Sequence, residues 1–215
     1  MPDAEPAFET VGADTHLLVL NKPSGLLSVP GKGLDKQDCL SLRVQKTYPE
    51  ARVVHRLDMA TSGLMLMARG PVMQTALSKL FETRAIHKRY VAVVDGQMNS
   101  GPDWQLTDLP IALDWPHRPL RIIHADGKPS QTRWRTLHYD AHTNTTRVEL
   151  EPLTGRSHQL RVHLKALGHP ILGDALYAPE RVAVMAPRLL LHASRLQFAH
   201  PAQGEHVAFC SLPLF

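Results

Sequence analysis

The chain has 215 residues, 43% of them hydrophobic, with a formal charge of +4 and a pI near 9.2. That length suits one domain able to bury a core without disulfides or metals. No apolar run approaches the roughly 18 residues of a membrane span, and the acidic opening MPDAEPAFET lacks the basic and apolar regions of a signal peptide, so cytoplasmic residence is the expectation.

Residues 1–14 read as a flexible tail and 15–215 as a single domain. From His16, the run HLLVLNKPSG reads as a short apolar strand ending in a Pro-Gly turn. LLSVPGKG reads as an extended piece and a loop. Residues 37–48 predict a helix, with Asp38 as N-cap and Pro49 just past its end. RVVHRLD is strand-like, MATSG is a turn, and LMLMAR is a second apolar strand. Pro71 suits the first turn of a helix that places Ala76, Leu77, Leu80 and Phe81 on one face. HKRYVAVVDG returns to a strand. Residues 100–130, rich in Pro, Asp and Trp, read as a surface excursion suited to contacting a ligand. Strands are expected over 131–138, 145–152, 190–199 and 206–211, interrupted by one helix over 157–167 that ends near Gly168. Strands and helices do not alternate strictly. The expected class is therefore α+β, with a mixed, mostly antiparallel sheet and flanking helices.

Arginine supplies 16 of the 24 cations. Its planar fork pairs with phosphate and stacks on bases, which puts nucleic acid among the expected partners. Cys39 and Cys210 form no motif and read as reduced thiols. The 13 histidines show no metal-ligand spacing, so no metal is expected. Phosphate-binding P-loop, GxSxG and GxGxxG patterns are absent.

Two constellations carry chemistry. In RVVHRLDMATSG, residues 52–63, an apolar strand delivers His55, Arg56 and Asp58 to a turn of small and hydroxylic residues. Two readings of Asp58 stand side by side here: a catalytic carboxylate, or a turn cap accepting the Thr61 and Ser62 amides. In LTGRSHQLRVHLKALGHP, residues 153–170, a helix start that can hold a phosphate carries Arg156, with Arg161 five residues on and on a different face. A solvated basic helix face is the alternative.

Together these segments resemble the RluA-type family of pseudouridine synthases. HRLD followed by TSGL, residues 55–64, is similar to that family's signature around its catalytic aspartate. NKPSGLLSVPG at 21–31, HKRYVAVVDG at 87–96, TGRSHQLRVH at 154–163, HPILGDALY at 169–177 and LLLHASRLQFAHP at 189–201 match further family segments in order. The likeness runs from about residue 15 to the C-terminus, and it is closest to the short branch that modifies both 23S rRNA and tRNA anticodon stem-loops. It implies a sheet crossed by an RNA-binding cleft. It implies Asp58 as the nucleophile, Tyr90 against the flipped uracil and as a base for later proton transfer, and Arg161 paired with the Asp58 carboxylate. Arg56 would fill the space left by the flipped base, with His55, Thr61 and Arg156 as further RNA contacts. The same resemblance implies an isomerisation needing no cofactor, with RNA as partner. A monomer whose catalytic domain performs its own RNA recognition is expected.

Overall fold

The computed structural model describes residues 8–99 and 103–215. In chain order the elements are β1 (Glu9–Ala13), β2 (Leu17–Lys22), α1 (Leu40–Gln45), β3 (Ala51–Val53), β4 (Ser62–Arg69), α2 (Pro71–Glu82) and β5 (His87–Asp95). There follow β6 (Gln105–Asp108), β7 (Ile111–Leu113), β8 (Arg121–Ile123), β9 (Gln131–Asp140) and β10 (Thr145–Pro152). The last are α3 (Gln159–Ala166), α4 (Glu180–Ala183), β11 (Leu191–Ala199) and β12 (His206–Cys210). The class is α+β, mostly antiparallel and poor in helix. The chain divides into two compact units: residues to Lys88 with Ala193–Leu214, and Arg89–His192 with Phe215.

In the first unit the strand order is β1-β2-β4-β11, with β3 on β4 and β12 on β11. The pairs β1–β2, β2–β4, β3–β4 and β11–β12 are antiparallel. The four residues LLVL of β2 are all at most 1% exposed, so both of its faces are covered. One face, with Leu17 and Val19, joins Leu64, Leu66 and Ala68 of β4 and Leu196 and Phe198 of β11. Helix α2 covers that face with Met73 and Leu77, flanked by Ala76, Leu80 and Phe81, which is the stripe its sequence spacing predicts. Each such leucine contributes about 1.5–3 kcal/mol by leaving water.

In the second unit β5, β10, β9 and β6 are neighbours in that order, each pair antiparallel. Strands β7 and β8 form a separate hairpin. Ala92 and Val94 of β5 and Val148 and Leu150 of β10 are fully buried.

Several local expectations differ from the structure. Within the predicted tail, residues 9–13 form β1, whose Glu9 carboxylate accepts the Asn21 side-chain amide at 3.0 Å; residues 1–7 lie outside those described. The helix predicted over 37–48 is only Leu40–Gln45, with Cys39 at the N-cap. The excursion over 100–130 contains β6, β7 and β8, while Ser100–Pro102 lies outside the described residues. The strand predicted over RVVHRLD ends at Val53.

Candidate active site

The segment between β3 and β4 carries His55, Arg56, Asp58 and Thr61. Strand β3 stops early because a side chain takes over its pairing. His55 Nε2 accepts the Leu66 amide of β4 at 2.8 Å, one step beyond the last pair, Val53↔Met67. The His55 ring stacks on Phe81 of α2 with centroids 4.3 Å apart. Burial, and then the nearby Lys88 charge, push this histidine down to about 3, so it is neutral with its proton on Nδ1. Released from the ladder, residues 54–61 are irregular, and the alternation that would put Arg56 and Asp58 on one strand face does not apply.

The backbone on either side of Asp58 is held in place. The segment 22–28, the NKPSG stretch and its continuation, grips residues 57–60 almost entirely through main-chain atoms. Ser28 Oγ donates to the Leu57 carbonyl at 2.7 Å and accepts the Leu57 amide at 3.1 Å. Lys22, fully buried, donates from Nζ to the carbonyls of Met59 at 3.0 Å, Leu26 at 2.7 Å and Pro23 at 2.9 Å. The Gly25 amide reaches the Met59 carbonyl at 2.9 Å, and Ser24 Oγ donates to the Ala60 carbonyl at 2.7 Å. The Thr61 amide goes to the Asp58 main-chain carbonyl at 3.1 Å rather than serving as a ligand for its side chain. Thr61 is 3% exposed, whereas Arg56 is exposed and has no hydrogen bond or ion pair among the described residues. Gly63, the second residue of β4, sits at φ 108°, where a Cβ would lie 2.3 Å from the Ala193 carbonyl oxygen, so only glycine lets β11 approach.

The second unit holds the other predicted residues. Tyr90 lies on β5 opposite Leu150 of β10 and is half-buried. Arg161, on α3, is 4% exposed and is gripped side-on by Asp174: Nε donates to Oδ2 at 2.8 Å and Nη2 to Oδ1 at 2.6 Å. Asp174 is itself oriented by the amides of Leu176 and Tyr177 at 3.0 and 3.1 Å. The Tyr177 ring lies 4.9 Å from the Arg161 guanidinium carbon. Such a side-on pair of charge-assisted bonds fixes the plane of the guanidinium. Helix α3 starts at His158, held in the left-handed region at φ 58°. Gln159 staples the turn before it, its Oε1 accepting the Arg156 amide at 3.0 Å and the Thr154 hydroxyl at 2.7 Å. Arg156 itself is exposed, with Nε donating to the Pro129 carbonyl at 3.3 Å.

Sequence reasoning gave no individual role to Lys22, Ser24, Ser28, Gln159, Asp174 or Tyr177, although all fall in the matched segments. Among the described residues one trio, Asp14, His16 and His200, offers ligand atoms of metal type. His200 Nδ1 accepts the Ala202 and Gln203 amides, both at 3.2 Å, which leaves its proton on Nε2, 3.1 Å from Asp14 Oδ2. The atom a metal would need is therefore already a donor.

The main chain around Asp58 is thus held by residues 22–28, and in the second unit the buried Arg161 is held by Asp174. The family model described as RNA pseudouridylate synthase matches residues 16–166. The chain belongs to that family. It is an RNA pseudouridine synthase and hence an isomerase. The synthase is 49% identical to the dual-specificity RNA pseudouridine synthase RluA of Escherichia coli strain K12, over 97% of this chain and 94% of that one. It is 48% identical to the protein of the same name from Vibrio vulnificus strain CMCP6, over 94% of this chain and 81% of that one. The solved structure of human RNA Pseudouridylate Synthase Domain Containing 1 superposes with a TM-score of 0.82 at 28% identity, covering 100% of the synthase and 87% of that chain.

Proposed function

We propose that this synthase converts uridines in 23S rRNA, in tRNA anticodon stem-loops, or in both, by flipping the target base and attacking it with Asp58. The reaction breaks the N1–C1′ bond, turns the uracil and rejoins it through C5. Nothing is oxidised or reduced, so no redox cofactor is called for. Asp58 adds to C6 of the ring or stabilises C1′ as the base departs. Arg161 pairs with the Asp58 carboxylate, Tyr90 lies against the flipped uracil and takes the C5 proton, and Arg56 fills the gap in the stack. Base extrusion costs a few kcal/mol and is cheapest in a loop, which favours stem-loop substrates. Arg156 contacts the RNA backbone, while His55 and Thr61 act from inside the scaffold. The synthase works as a monomer in the cytoplasm.

The observation that carries this reading is the grip of residues 22–28 on the main chain of 57–60, which holds the backbone that bears Asp58. The dual-specificity name of the bacterial relatives supports more than one RNA target. Asp58→Asn is expected to lower tritium release from 5-³H-uridine RNA by at least about 10³-fold, as loss of a covalent catalyst should, while RNA binding persists. Full turnover by that variant would overturn the role of Asp58. Mapping pseudouridine in rRNA and tRNA from cells with and without the gene identifies the targets.

A further inference from the structure

Two tryptophans of the second unit are covered by arginines, and they differ in the acids around them. Over the Trp104 ring lie the guanidinium groups of Arg89, Arg133 and Arg135, at 4.2, 5.1 and 4.9 Å from its centroid. Glu149 and Glu151 pair with all three of those arginines, at 2.7 to 3.9 Å. That cluster is satisfied within itself. Trp115 stands instead in the turn joining β7 to β8 and is 66% exposed, with the Arg118 guanidinium 5.0 Å from its ring centroid. Neither Arg118 nor Arg121 has a carboxylate partner among the described residues. Arg121 Nε is, moreover, a buried donor with no hydrogen-bond partner.

The hairpin bearing these groups is rigid. At its tip the Asp114 amide donates to the Leu120 carbonyl at 3.0 Å and the Leu120 amide to the His117 carbonyl at 3.0 Å, while His117 Nδ1 lies 3.1 Å from both Asp114 oxygens. At its base Ile111, Leu120 and Ile123 pack with Val162 of α3 and with Tyr177, whose hydroxyl accepts the Arg121 amide at 2.9 Å. Beyond β8, Lys128 pairs back to Ile111, and Arg156 reaches the carbonyl of the next residue, Pro129. A preset indole with uncompensated cations beside it suits a ligand that offers flat bases and phosphates.

We infer that the β7–β8 hairpin is an RNA-contact element apart from the base-converting residues: Trp115 stacks on an unpaired base other than the target uridine, and Arg118 and Arg121 hold phosphates flanking it. This rests on the RNA substrate of the synthase but on neither proposed target. The test uses the Asp58→Asn background for binding and the wild-type background for turnover. Its probes are a tRNA anticodon stem-loop and a 23S rRNA fragment. Trp115→Ala is expected to weaken RNA binding about tenfold, since one base–aromatic stack carries that much, and to raise KM far more than it lowers kcat. Trp115→Phe keeps a ring and should stay within about threefold, while abolishing the RNA-induced quenching of tryptophan fluorescence. Arg118→Ala combined with Arg121→Ala should flatten the dependence of log Kd on log salt by about 0.7 per lost contact to a single strand. Unchanged binding and KM in Trp115→Ala, or quenching retained in Trp115→Phe, overturns the proposal. Failure of the wild type to release tritium from either RNA overturns the target assignment instead, and the hairpin is then judged by binding alone.

Discussion

Lys22 is fully buried, and three main-chain carbonyls are its hydrogen-bond partners. Burial lowers its pKa to about 8, partly offset by the Asp58 charge. A base depressed in the folded state loses its proton there before it does in the unfolded chain. The cost, roughly 3 kcal/mol, is therefore present below about pH 8 and fades as pH rises toward 10.5. That cost is tolerated because the charged ammonium has three N–H donors for three carbonyls and places a cation near Asp58. The neutral amine has only two donors, so one of the three carbonyls loses its hydrogen bond. The pH profile of kcat/KM is expected to bend downward with an apparent pKa of about 8. A profile flat to pH 9 would show that the charge on Lys22 does nothing for turnover.

Helix α3 shows how an element can be legible while its function is not. Its 159–166 span falls inside the predicted 157–167, because LRVHLKA has helical spacing and Gly168 ends it. That Arg161 would be buried against Asp174 is invisible locally, since the partner lies thirteen residues on, past a turn. Asp174→Asn keeps the shape but removes the charge from a buried pair, and breaking such pairs costs about 3–5 kcal/mol when no partner compensates. The expected outcome is a lower melting temperature and at least a tenfold loss in kcat with RNA affinity retained; a full kcat would separate Arg161 from catalysis. Similar reasons explain the other gaps. Strands β2 and β4 are plain as apolar runs, and α2 as a stripe behind Pro71. Strand β1 was missed because ETVGA is half polar at a sheet edge, and β6–β8 because three- and four-residue strands leave no period to read. In the candidate site, HRLD and its companion segments single out Asp58 as the proposed nucleophile. Lys22, Ser24 and Ser28 were not assigned because they bind carbonyls, which no side-chain pattern reports.

At the scale of the whole molecule, one neutral histidine links the acid stability of the fold to the site. The folded state keeps His55 unprotonated down to about pH 3, whereas the unfolded chain takes up its proton near 6.5. Over that interval the unfolded state binds more protons, so stability falls as pH falls. His55→Gln is expected to flatten the decline in melting temperature between pH 6.5 and 4, as followed by circular dichroism; an unaltered slope would place the acid sensitivity elsewhere. The grip on residues 57–60 has a consequence of another kind. It reads main-chain atoms alone, and Met59, next to Asp58, turns half of its surface to solvent. The identity of that side chain is thus uncoupled from the main-chain path through residues 57–60. Position 59 can drift, or be randomised in a library, while the backbone that carries Asp58 stays in place.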